Sequence, residues 1–234
     1  MTPSQFVGAV EQALTPLADA SRAVQMKAYL LDQFEFLGLQ APVRRQAAKD
    51  IGKVKWQSSV DLLTAAELLW QMPHREYRYT AVDLLRKHSS MLSVNDLPVL
   101  QHLLLRDPWW ETVDGLSAVI AEVMKAAVQQ QPNAAVAMDV WLKHPSHWVR
   151  RSAMLHQLGW RLDTDTMRLF GYAQQLSDDK DFFIRKAIGW ALRDYARWNP
   201  QAVTAFLVEH RDTLSRLSVR EAAKHLTVPL DSRQ

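Results

Sequence analysis

The 234-residue chain contains no cysteine. That excludes disulfides and thiolate metal sites and fits a reducing compartment. Glycine and proline are sparse, at seven and ten residues. With almost no β-branched alternating run, the sequence argues against a sheet-based fold. No stretch approaches the roughly 18 uninterrupted apolar residues of a membrane span. Met1–Phe6 holds no basic patch leading into an apolar run, so no secretory leader is expected either. These absences point to a cytoplasmic chain. Charge leans only slightly, at +3, which by itself favours an anionic partner weakly. What is present is ordinary globular material, 48% hydrophobic and 23% charged, enough for one well-cored domain over residues 1–234. Only Thr227–Gln234 are expected to lack order. Nine tryptophans are the unusual feature: most will fill the core, but so many allow an aromatic site.

Apolar residues recur at three- and four-residue spacing. Helices are predicted over 3–14, 20–36, 42–53, 57–71, 74–88, 94–105, 108–129, 132–143, 146–158, 164–176, 180–198, 200–211 and 217–226. Pro42, Pro108, Pro132, Pro145 and Pro200 fall where a first helical turn tolerates proline. Short connections make neighbouring helices antiparallel. Within this series an arginine returns after a bulky residue and before a small one, at Arg44, Arg78, Arg150, Arg185 and Arg220. Successive gaps of 34, 72, 35 and 35 residues leave a missing copy at position 114, where the residue is Asp114. A period near 35 built of helix pairs predicts an all-α, α-solenoid fold of about six HEAT-like antiparallel pairs with a concave basic groove. The arginines either line that groove and follow a phosphate backbone or pair with acids of neighbouring repeats. Doubly basic copies (Arg44-Arg45, Arg150-Arg151, Arg185-Lys186) favour a ligand, because one base can brace while the other reaches out.

The run Arg106-Asp107-Pro108-Trp109-Trp110-Glu111-Thr112-Val113-Asp114 is the least ordinary in the chain. Asp107 reads as a helix N-cap with Pro108 at the first position. Trp110 and Asp114 are then four apart on one helical face, and Glu111 points about 100° away from Trp110. One repeat on come Arg150 and Arg151, and one further Phe182, Phe183 and Trp190. A carboxylate among indoles with a guanidinium nearby suits a cationic ligand, since aromatic faces attract cations and a carboxylate stabilises developing positive charge. The plainer reading makes the tryptophans core and pairs Asp114 with Arg150 or Arg151. The histidines form no zinc-binding pattern on a helix, and His144 and His147, three apart beside Pro145, read as capping or surface. No phosphate-cradling glycine loop and no nucleophile elbow is present.

Trp109–Asp114, Trp148–Ala153 and Asp181–Trp190 closely resemble the bacterial AlkD family of alkylpurine DNA glycosylases. Tyr29–Gly38 followed by Pro42–Arg45 resembles that family's N-terminal segment, so the likeness runs from about residue 20 to 226. The resemblance implies hydrolysis of the N-glycosidic bond of N3- and N7-alkylated purines in duplex DNA, leaving an abasic site, with no metal or organic cofactor. It implies catalytic roles for Asp114, Trp110, Trp190 and Arg151, the last in place of the Arg150 that periodicity selects. It makes Tyr29 a DNA contact. Arg44, Arg45, Trp109, Arg150, Phe182, Phe183, Arg185 and Lys186 complete the expected DNA-binding set. The expected partner is double-stranded DNA carrying alkylated purines, met by a monomer of the bacterial cytoplasm that joins the nucleoid when bound. The competing expectation is a non-catalytic repeat module that binds DNA or a protein.

Overall fold

The computed structural model describes residues 1–226, and the order expected or denied for residues 227–234 lies outside them. Among the described residues every regular element is helical, and one isolated bridge joins Glu35 to His74. None of these helices is long and apolar enough to cross a membrane. The chain packs as two compact units, one of Met1–Leu103 and one beginning at Leu104.

The first unit holds α1 (Pro3–Leu14), α2 (Ala20–Tyr29), α3 (Ala41–Ala47), α4 (Ser59–Gln71) and α5 (Arg75–Lys87), with α6 (Leu97–Leu105) starting in it. Local chemistry marks the starts. Thr2 and Gln5 close a reciprocal capping box around Pro3 on α1, and Ser58 accepts from the Asp61 N–H on α4. Phe6, Val10 and Leu14, spaced four apart, turn one stripe of α1 inward, where α1 packs on α4. The predicted helix over 20–36 is corrected: it stops at Tyr29. Leu31 and Asp32 both take left-handed backbone, φ +58 and +59, and no glycine announces the break. The tertiary reason lies on α5. Glu76 is fully buried and its carboxylate accepts from the backbone N–H groups of Leu37, Gly38 and Leu39 at 3.0, 2.9 and 3.0 Å. Three charge-assisted bonds to a buried anion outweigh the helix propensity of 30–36. Gly38 is required there, since at φ +88 a Cβ would stand 2.0 Å from the Asp19 carbonyl.

The second unit holds α7 (Trp110–Gln130), α8 (Val136–Trp141), α9 (His147–Leu155), α10 (Thr166–Gln175), α11 (Phe182–Ala196), α12 (Pro200–Glu209) and α13 (Arg216–Ala222). Here α9 packs on both α7 and α11, and α11 packs on α13. The start expected at Asp107-Pro108 is also corrected. Asp107 is left-handed, φ +46, which an N-cap is not, and α7 begins at Trp110 behind an extended Trp109. Pro145 likewise precedes the N-cap, Ser146, instead of opening α9. Gly189 lets α13 approach α11: a Cβ there would meet Glu221 Cβ at 2.4 Å and the Ser218 carbonyl at 2.8 Å. Gly189→Ala should therefore cost about 1–3 kcal/mol through overpacking. Gly171→Ala on α10, where a Cβ meets nothing within 4 Å, should gain about 0.4–1 kcal/mol from reduced unfolded-state entropy. Urea midpoints of the two variants check the contrast.

Candidate active site

Three helix starts converge in the second unit. Trp110 and Asp114 lie four apart on the first turns of α7, Arg151 lies on the second turn of α9, and Phe182, Phe183, Lys186 and Trp190 follow one another along α11. With Arg193 and Glu221 they line one cavity of about 350 Å³. All four residues expected to be catalytic are thus brought together, and the i, i+4 reading of Trp110 and Asp114 holds.

Arg151 is the hub. It is 4% exposed, and its guanidinium meets the Asp114 carboxylate as a fork, Nε to Oδ1 at 2.7 Å and Nη2 to Oδ2 at 2.9 Å. Nη1 donates to the Phe183 carbonyl at 2.5 Å, which fixes the guanidinium 5.9 Å from the ring centroids of both Phe183 and Trp190. The pairing of Asp114 with an arginine of the next repeat, offered as the plainer alternative, is therefore present. It does not remove Asp114 from the cavity. Each carboxylate oxygen keeps a lone pair beyond the one Arg151 uses. Burial pushes the Asp114 carboxyl above its ordinary 3.8, with the Glu111 charge adding to the rise and Arg151 opposing it.

The opposite wall is a second charge cluster. Glu221 is 5% exposed and accepts from Lys186 Nζ at 2.9 Å, Arg193 Nη1 at 3.0 Å and Lys224 Nζ at 2.8 Å. Lys224 and then Lys186 hold its carboxyl down to about 2. Sequence reasoning missed Arg193 and Glu221. A signal for Glu221 existed: it stands one residue after Arg220, the register that Arg45, Arg151 and Lys186 occupy in other copies, and it is an acid there.

Phe183 touches the cavity from an aromatic cluster in which it lies 4.7 Å from Trp148 and 5.5 Å from Trp109. Trp109 packs in that cluster and does not line the cavity. Phe182 lines it and is 55% exposed.

The expected DNA-binding set divides. Tyr29 is 73% exposed on the first unit. Arg185 gives its Nε to the Asp179 carbonyl, and Lys186 reaches the cavity. Two expectations need correction. Arg44 is 3% exposed and spends its two terminal nitrogens on Thr80 and Asp83, so burial withdraws it from an open binding surface. Arg150 donates to the carbonyls of His144 and Pro145 and to Asp179 Oδ2, which makes it a clip on the turn before α9. In all three doubly basic copies the first arginine braces. The second differs by copy: Arg151 reaches the cavity, whereas Arg45, though its side chain is 63% exposed, forks onto Asp83.

Stacked helix pairs with an aromatic cavity carrying two carboxylates, Asp114 and Glu221, define a helical-repeat protein. The chain belongs to the DNA alkylation repair enzyme family, whose model matches residues 10–226. The resemblance read from the sequence holds at that level. Among solved structures, one described as a predicted DNA alkylation repair enzyme from Enterococcus faecalis is 28% identical. It superposes with a TM-score of 0.81 over 90% of this chain and 97% of its own. AlkD2 from Streptococcus mutans, at 19% identity and TM-score 0.62, covers 97% of this chain and 100% of its own. A third structure, smu.31 from Streptococcus mutans UA159, shares the fold at 20% identity and TM-score 0.58, covering 86% of this chain and 95% of its own. No curated protein matches.

Proposed function

We propose that this protein is a monofunctional DNA glycosylase that hydrolyses the N-glycosidic bond of N3- and N7-alkylated purines in duplex DNA. The observation that carries the reading is Asp114, a half-buried carboxylate lining a cavity walled by Trp110, Phe182, Phe183 and Trp190. An N-alkylated purine is already cationic, so its glycosidic bond breaks with the electron pair leaving on the purine nitrogen and no acid is needed to protonate the base. Positive charge then develops on the sugar, and water adds at the anomeric carbon and releases a proton. A carboxylate held beside that carbon stabilises the charge in the transition state, and aromatic faces attract the cationic base before cleavage. Membership in a DNA alkylation repair family supports the substrate class. The monomer, Tyr29 as a DNA contact, and the bases Arg45, Arg185 and Lys186 as groups facing the duplex belong to the same proposal.

The deciding experiment measures release of 7-methylguanine and 3-methyladenine from methylated duplex DNA by wild type and Asp114→Asn. Absence of release by the wild type, with duplex binding intact, would leave a DNA-binding module and sink the enzyme. Trp110→Ala and Trp190→Ala separate recognition of the lesion from grip on the backbone. Each should lower single-turnover release by about tenfold or more and change affinity for unmodified duplex by less than a factor of two to three. Equal losses in both measurements would place the indoles on the backbone instead.

A further inference from the structure

The Arg151–Asp114 fork has a counterpart in the first unit. Arg45 on α3 meets Asp83 on α5 in the same way, Nε to Oδ2 at 3.0 Å and Nη2 to Oδ1 at 3.2 Å, and it also borders a cavity, of about 220 Å³. The walls differ. No tryptophan lines this second cavity. Its lining carries Arg44, Arg45, Lys49 and Lys87 against the single acid Asp83, over an apolar floor that includes Phe6 and Leu84. Four cations and one carboxylate leave the lining three positive charges in excess, whereas the cavity of the second unit sets Arg151, Lys186 and Arg193 against Asp114 and Glu221.

Donors also remain unspent. Arg44 is 3% exposed, and although its Nη1 and Nη2 are bonded to Thr80 and Asp83, its Nε is buried without an acceptor. A buried guanidinium N–H left bare is uncommon and points to a missing partner. Arg45 commits Nε and Nη2 to Asp83. Lys87 donates one proton to the Gly52 carbonyl and as an ammonium has two more. A volume several times the roughly 30 Å³ of a water admits a tetrahedral oxyanion with part of its hydration.

We propose that the Arg44–Lys87 cavity of the first unit binds a phosphate dianion, either free phosphate or the terminal monoester of a nucleic acid. The charge excess selects the dianion over an internal phosphodiester, which brings one negative charge where the lining has three to answer. Arg44 offers the Nε that lacks an acceptor, Arg45 the Nη1 that its fork onto Asp83 leaves over, and Lys49 and Lys87 supply point charges at the edge. Asp83 plays the part of an orienting group here and stays paired when the anion enters. This site stands apart from Asp114 and does not depend on glycosylase activity.

The test uses the full chain and inorganic phosphate, followed by amide ¹H–¹⁵N spectra, with sodium chloride at matched ionic strength as control. A second arm uses two identical unmodified duplexes, one 5′-phosphorylated and one with 5′-hydroxyl ends. Saturable shifts at Ala48, Lys49 and Gly52 with phosphate, absent with chloride, are expected. Lys49→Gln/Lys87→Gln changes two exposed side chains and should weaken that binding by about tenfold or more. Tighter binding of the 5′-phosphorylated duplex, lost in the same double variant, would assign the source to a DNA terminus; indifference to the 5′ end would assign free phosphate. Shifts no larger than those with chloride, together with no preference between the duplexes, would overturn the proposal. So would binding that survives in the double variant. Base release by the double variant on internal lesions should stay at the wild-type level, so a failure here leaves the Asp114 reading untouched.

Discussion

Asp114→Asn should reduce release of 7-methylguanine from methylated duplex DNA by about 10²–10³-fold, the scale of losing one preorganised electrostatic group at a developing charge. The amide has nearly the shape of the carboxylate, and its oxygen still accepts one bond from Arg151. What disappears is the negative charge beside the sugar. Affinity for unmodified duplex should stay level or rise slightly, because an acid has left an environment shared with Arg151, Lys186 and Arg193. A structural role for Asp114 alone predicts the reverse pattern: cleavage and binding fall together with the melting temperature. Single-turnover release, duplex affinity and thermal unfolding of the same preparation therefore separate the two. Loss of less than about fivefold in release would move the catalytic burden elsewhere in the cavity.

The second large effect concerns stability. Arg151→Met keeps the apolar stem of a 4% exposed side chain and removes the fork that answers Asp114. Taking one partner from a buried pair costs about 3–5 kcal/mol, because the other charge is left in the interior without compensation. The loss depends on pH. The folded-state pKa of Asp114 already lies above its ordinary 3.8 through burial, with Arg151 opposing, and removal of Arg151 raises it further. A carboxyl with a raised folded pKa binds its proton more tightly in the native chain. Its ionisation therefore costs stability as pH rises through that pKa, and the cost is recovered as pH falls back toward 3.8. Urea unfolding should show a wide gap between variant and wild type at pH 7 that narrows at pH 5. Adding Asp114→Asn to Arg151→Met should restore most of the lost stability, the coupling that a double-mutant cycle reads. A gap independent of pH, unchanged by the second substitution, would show that Arg151 stabilises through packing alone.

Much of this site was legible in the chain, for reasons particular residues make plain. Asp114 stood out because a base recurs at its phase elsewhere, and the i, i+4 spacing from Trp110 survived even though the helix starts two residues later than Pro108 suggests. Prolines marked the starts of α3 and α12 closely, since this signal acts within one turn. What failed to show depends on distant partners. The break after Tyr29 is imposed by Glu76, whose carboxylate collects three backbone donors almost forty residues away. Arg44 and Arg150 share their phase with candidates for a binding row, and only Asp83 and Asp179 reveal that they are braces. Arg193 and Glu221 were missed because the row was read for its bases, and neither residue stands at the phase of the recurring arginine.

The ion pairs that build the cavity also impose an order on how it comes into being. Asp114 is synthesised well before the guanidinium that answers it, and Arg151 follows 37 residues later. Glu221, which gathers Lys186 and Arg193, comes another two repeats on. At about 5–20 residues per second, roughly five to twenty seconds separate the first wall of the cavity from the last. Until Arg151 is made, α7 carries an acid whose burial has no counter-charge, so α7 has little reason to settle before α9 is made. A chain halted before α13 would carry the carboxylate and both indoles with no buried anion to hold Lys186 and Arg193.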